Sequence, residues 1–328
     1  VNHEESPNII SAMLAKQLGA RKTIARIDNN EYLEANNKEV FIDIGIDYLP
    51  VSEMELYNQL FNPNNKVQLD LDMPASELKK LQDDYDTYRN KNSKSPIYRM
   101  ATLKVTITTA TETRTYRISE VGVRMKGNTS RTDFYNSHDG IYKYIHLKLD
   151  FQETFDDTAY YGSDAKKWSS KEARDERKDR TFAALEALEM RWNKCYDPTY
   201  LREAYAYELF RSEGVLAPMT NLCSMDWSNN HMGLYLMVEP VDKAFLKKRL
   251  PAGDTDGDLS KCGFVYDPAN FTNTNSIGVE DEDKAKFYTY DLKTNKKTST
   301  HAALTNLIKK LNSPALTKAG LAVTGVYE

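Results

Sequence analysis

Between residues 101 and 151 the chain repeats one pattern. ATLKVTITTA (101–110), TRTYRISEVGVRMKG (113–127) and IYKYIHLKLDF (141–151) each alternate apolar with polar side chains. A period of two places successive side chains on opposite faces of a strand. Such runs, separated by short polar gaps, predict an antiparallel meander with one face on a core. VQLDLD (67–72) and FIDIGIDY (41–48) alternate in the same way.

Helical signals surround the meander. Ile9–Leu18 has an amphipathic pattern. In MPASELKKLQDDYDTYRNK, Pro74 is placed to open a helix and Ser76 to cap it. TFAALEALEMRW (181–192) is helical by propensity. Asp197-Pro198 starts TYLREAYAYELFRSEG, which sets Leu201, Tyr205, Leu209 and Phe210 near one face and ends at Gly214. TNLCSMDW (220–227), the turn Ser228-Asn229-Asn230 and MGLYLMVE (232–239) predict a hairpin. VDKAFLKKRL (241–250) and HAALTNLIKKLN (301–312) read as helices, and CGFVYD (262–267) as a strand. No internal repeat is present. The expected class is α+β, a mostly antiparallel sheet with packed helices.

Composition excludes several function classes. The 328 residues are 40% hydrophobic and 28% charged, with a net charge of −4 from many charges of both signs. That is a globular balance, without the net basic character of a nucleic-acid binder. No apolar stretch approaches the roughly 18 residues that span a membrane. Cys195, Cys223 and Cys262 lack metal or redox spacing, and three cannot all pair. The chain opens Val-Asn-His-Glu-Glu without an initiator Met, so a preceding segment, with any secretion signal, is expected to have been lost.

Motifs with chemistry are few. None of the five His stands at i, i+4 from another, and no HExxH, P-loop, G-x-S-x-G or G-x-G-x-x-G occurs. Asp254, Asp256 and Asp258 alternate in GDTDGDLS, like the first half of a calcium loop. The loop's Gly and distant Glu are lacking, so an acidic surface turn is the competing reading. On the strand expected at 141–151, Lys143 shares a face with Ile145 and Leu147. It either snorkels to the edge or reaches an anion in a cleft. Residues 157–180, including KEARDERKDR, read as a solvated loop or helix face. Glu239, before Pro240 at a strand end, reads as an exit into solvent. KGNTSR (126–131) reads either as a polar hairpin turn or as an anion nest beside Lys126 and Arg131.

Several stretches together resemble the CotH kinase-like family of spore-coat protein kinases and their relatives. The likeness runs from about residue 55 to the end. It begins at ELYNQLFNPNNKVQLDLDMPASELKKLQDDYDTY. VGVRMKGNTSR is similar to the family's R-x-[RK]-G-[NS]-x-S turn, and KYIHLKLDF to its Lys-bearing strand. DPTYLREAYAYELFRSEGVLAP is similar to the D-P-x-x-[LIM]-R helix with its following G-V-x-x-P. GLYLMVEPVDKAFLKKR resembles the G-[LV]-Y-x-x-x-E-x-V-D segment, and GDLSKCG the G-D-L-Y-K strand. Together, in the right order, these pieces make a fairly specific signal.

The resemblance implies residues 1–54 as an extension and 55–328 as a CotH kinase-like domain, with an atypical protein-kinase-like N-terminal lobe. It implies transfer of the γ-phosphoryl of ATP, with Mg²⁺, to Ser or Thr of a coat or surface protein. A spore-coat, cell-surface or secreted setting follows by family habit. Gly127, Asn128, Thr129 and Ser130 would form the turn over the phosphates, Lys143 would hold phosphate oxygens, and Glu208 would pair with Lys143. Glu239 to Val241 would form a hinge meeting the adenine. Two departures stand out. The family's catalytic N-x-D and P-[WY]-D-x-D segments have no counterpart before Glu328, so this chain alone is expected to be inactive. The competing expectation is a non-catalytic module that binds protein or glycan. The family also has a strand where TFAALEALEMRW is helical by propensity, so Leu188–Trp192 is expected to be extended.

Overall fold

The structure is a computed structural model that describes residues 52–91, 93–127, 130–193, 197–250, 260–262 and 290–292, with Ala302 and Asn306. The chain divides into two compact units, Val1–Pro240 and Val241–Glu328. The sequence patterns at Ile9–Leu18 and 41–48 lie outside the described residues, as do Asp254, Asp256 and Asp258.

In the first unit the elements run in order α1 (Glu53–Phe61), β1 (Lys66–Asp72), α2 (Ala75–Arg89), β2 (Arg99–Thr108) and β3 (Thr113–Lys126). The short strands β4 (Tyr135–Asn136) and β5 (Gly140–Ile141) precede β6 (His146–Asp150), α3 (Thr158–Tyr161), α4 (Lys171–Lys178) and β7 (Ala187–Arg191). Then come α5 (Arg202–Ser212), β8 (Thr220–Trp227) and β9 (Asn230–Val238). The fold is α+β, as the patterning predicts. The sheet is more than a meander. Its seven strands close into a barrel in the order β1-β2-β3-β6-β7-β9-β8. All neighbours are antiparallel except β1 and β8, which close the ring in parallel, Gln68 beside Ser224.

Alternation builds the barrel wall. Val121, Val123, Leu147, Leu149, Leu188 and Met190 point inward and are fully or almost fully buried, while Arg124, Lys126, Lys148 and Glu189 point outward. Ser228 and Asn229, both at positive φ (46° and 67°), form the two-residue turn that joins β8 to β9 with matching twist.

Helix α2 joins the core through Leu78 and Leu81. Its N-cap position is Pro74, with no side-chain cap, so Ser76 does not serve as one. Asp84 holds the Arg99 guanidinium by two bonds of 2.7 and 2.8 Å. Gln82 accepts from the main-chain N–H of Phe134 (2.9 Å) and Tyr135 (3.2 Å). That ties the segment after residue 130 to α2.

Three local expectations change. TFAALEALEMRW is not a helix: Phe182 bridges Leu185 around Ala183 and Ala184, both at positive φ, and β7 follows. Pairing with β6 and β9 on both sides overrides helical propensity there. The extended path expected from the family likeness is the one seen for Leu188–Arg191, with Trp192 just past the strand end. The run 141–151 is broken. Ile141 ends β5, Lys143 lies in an exposed bend, and β6 starts at His146. The Ile145 carbonyl accepts from the Tyr235 hydroxyl (3.2 Å). Finally, the charged 157–180 stretch is anchored, with Arg177 buried.

In the second unit, α6 (Lys243–Lys247) is capped by Asp242, whose side chain accepts from the Phe245 N–H (3.0 Å). It buries Phe245 and Leu246. Strands β10 (Ser260–Cys262) and β11 (Tyr290–Leu292) pair antiparallel. Ala302 and Asn306 are helical.

Candidate functional site

At the end of β3, Met125 enters the core and Lys126 faces out, one residue before the glycine turn. Gly127 has φ +103°, and a Cβ there would sit 1.8 Å from the Ser130 hydroxyl oxygen. Only glycine lets the chain fold Ser130 back this closely. Asn128 and Thr129 lie outside the described residues.

The Lys126 ammonium pairs with the Glu189 carboxylate on β7. Arg191 donates to the same carboxylate at 2.9 Å and also pairs with Glu203 on α5. Between β3 and β7 runs β6, with His146 opposite Lys126, and Lys148 opposite both Arg124 and Glu189. Lys148 lies 3.8 Å from Asp150, and Arg124 stacks 4.6 Å over the Tyr98 ring. The face thus carries Arg124, Lys126, Lys148 and Arg191 against Asp150, Glu189 and Glu203. Its next strand offers Leu236 and Val238, both buried, opposite Arg191 and Glu189.

That setting shifts the titrations. Burial works to raise the Glu189 carboxyl, but the charges of Lys126 and Arg191 outweigh it and hold it below the usual carboxylate range. Burial also holds the Lys126 ammonium below the usual amine range, against the pull of Glu189. A cation that has lost water on one side interacts more strongly with an approaching anion.

The residues singled out from the sequence are not all brought together. Gly127 and Ser130 belong to the turn beside Lys126. Lys143 is exposed, its ammonium 5.4 Å over the Tyr142 ring. Glu208 is exposed on α5 and pairs with Arg211. Among the described residues it makes no ion pair with Lys143. Glu239 is no exit into solvent. It is 1% exposed and accepts from the Tyr57 hydroxyl (2.8 Å) and the Met219 N–H (3.1 Å). Its own N–H donates to the Met219 carbonyl (2.9 Å). Val241 begins the second unit and is half exposed. Among the described residues no three His, Cys, Asp or Glu side chains stand together as metal ligands. No helix among them is long and apolar enough to cross a membrane.

A family model described as CotH kinase protein matches residues 123–322, well over half the chain. The chain belongs to the CotH kinase family. The match begins on β3 at Val123 and takes in Lys126, the turn, β6, β7, α5, β8 and β9. Comparison with curated proteins gave no match. For this CotH chain, sequence reading missed Glu189, Arg191 and Glu203. One signal pointed to Glu189 and Arg191: charged residues that alternate with Leu188 and Met190 once 187–191 is taken as a strand. Propensity argues against that strand, and the family likeness alone pointed to it.

Proposed function

We propose that the barrel of this CotH-family chain is a nucleotide-binding lobe serving phosphoryl transfer from ATP to Ser or Thr of a coat or surface protein. The phosphates rest on Lys126, Lys148 and Arg191 beside the Gly127–Ser130 turn. The observation that carries this reading is the Lys126–Glu189 pair, one residue from a turn that only glycine permits. Phosphoryl transfer asks a protein for positioning and positive charge around the phosphates more than for covalent chemistry. Lys126 supplies a point charge and Arg191 a planar fork of donors. The carboxylates of Glu189 and Glu203 hold both in place until an anion shares them.

Lys126 thus takes the part expected of Lys143, and Glu203 replaces Glu208 as the helix carboxylate that reaches the sheet. Mg²⁺, when bound with ATP, neutralises phosphate charge. The described residues assign it no protein ligands.

The test is thermal unfolding with and without MgATP. A ligand at a hundredfold its Kd stabilises by about 2.7 kcal/mol, so a clear rise is expected for the wild type and its loss in Lys126→Met. No rise at millimolar MgATP overturns the reading. A second reading, a non-catalytic module that binds a protein or glycan, is favoured by α5. Leu201, Tyr205, Leu209 and Phe210 are 47–68% exposed along that helix and its start, an apolar stripe of the kind that marks interaction surfaces. Indifference to nucleotide together with saturable partner binding would select it.

A further inference from the structure

Beside the glycine turn lies a run of rings that the phosphate centre does not use. The Cβ position of Gly127 is 3.5 Å from the His146 ring. His146 lies 6.1 Å from Trp192, with the rings inclined by 36°, and its Nδ1 accepts from the Trp192 N–H at 3.1 Å. Trp192 in turn carries Tyr144, 5.9 Å away and inclined by 30°. Trp192 packs partly against the core, whereas Tyr144 is 47% exposed. The result is a large flat side chain held at the surface by a fixed partner.

Its position matches the charges. Trp192 follows Arg191 directly, and β7 lies two strands from β3. Tyr144 leads into β6, the strand between them, two residues before His146, which pairs with Lys126, so the shelf borders both the Lys126 and the Arg191 sides of the phosphate centre. A nucleotide has the same layout, with charge at one end and a flat base at the other. We propose that Tyr144, backed by Trp192, is the stacking surface for the base of the nucleotide whose phosphates Lys126 and Arg191 hold. The Glu239 amide and carboxylate are meanwhile committed to Met219 and Tyr57. This inference rests on the nucleotide-binding reading above and assigns Tyr144 to selectivity for nucleoside triphosphates over inorganic polyphosphate. A stacked base is recognised by its π face, so any purine triphosphate fits the shelf.

The test titrates MgATP and magnesium tripolyphosphate by calorimetry into wild type, Tyr144→Ala and Tyr144→Phe. Wild type is expected to prefer MgATP by about tenfold or more. Tyr144→Ala should bring MgATP down to the tripolyphosphate affinity without changing the latter, and Tyr144→Phe should keep the preference. Equal wild-type affinities, or a preference that survives in Tyr144→Ala, would overturn the shelf while leaving the phosphate centre standing. If neither ligand binds wild type, the phosphate centre falls and the shelf with it.

Discussion

Two charged clusters sit on the outside of the same barrel and are wired differently. In one, Arg177 and Arg180 donate to main-chain carbonyls of Ser119, Glu120, Phe151 and Glu153. Glu120 is at φ +52°, where β3 slips register against β2. The arginines clamp that bulge. In the other, Lys126 and Arg191 donate to the carboxylates of Glu189 and Glu203, which an incoming phosphate can relieve or share. Main-chain carbonyls cannot be released to a ligand as a side-chain carboxylate can. The first cluster is therefore read as structural and the second as a binding centre. Burial, then the neighbouring Arg177 charge, push Arg180 down to about 10, a cost accepted because its hydrogen bonds fix the chain.

Breaking the clamp should have the largest effect on stability. Arg177→Ala empties a buried side-chain site, takes the donor from the Glu153 carbonyl and leaves the Glu120 carbonyl with Arg180 alone, and a loss of roughly 3 kcal/mol is expected in urea unfolding. The folded variant should keep its nucleotide response. Lys126→Met should do the reverse, costing about 1 kcal/mol in stability while weakening MgATP at least tenfold. A Lys126→Met protein that unfolds easily yet binds normally would erase the distinction.

Acid sharpens it further. The Glu189 carboxyl lies below its ordinary range in the fold, so the unfolded chain binds more protons as pH falls. Its contribution is present at neutral pH and is lost as pH drops through the carboxylate range. Glu189→Gln should be less stable than wild type at pH 7, by roughly 2 kcal/mol, and the gap should close in acid. The smallest effect belongs to exposed pairs. Lys79→Ala, which removes the Lys79–Asp83 contact on α2, should change stability by less than about 0.5 kcal/mol.

Local order was readable in the chain. Alternation marked β1, β2, β3 and the β8–β9 hairpin, and Asp197-Pro198 marked the start of the α5 region. There the Asp197 carboxylate accepts from the Arg202 N–H at 2.8 Å. Long-range pairing was not readable. Nothing in period-two alternation says that β1 meets β8 in parallel, 156 residues apart at Gln68 and Ser224. The Lys126–Glu189 pair spans 63 residues, and the strand bearing Glu189 is made of helix-forming residues, so only the family likeness pointed to its extended path. Lys143 was misplaced because Tyr142, Tyr144 and His146 continue the alternation into β6. In the fold, the Tyr142 N–H donates instead to the Phe134 carbonyl (2.9 Å). Composition marked KEARDERKDR as solvated, since charge alone does not reveal carbonyls waiting for guanidinium groups.

The central claim is that Lys126, held by Glu189 next to the Gly127 turn, grips nucleotide phosphate. Calorimetric titration of MgATP into wild type and Lys126→Met tests it most directly. Saturable wild-type binding, weakened at least tenfold in the variant, is the expected result. Equal affinity in both, or no binding in either, would contradict it.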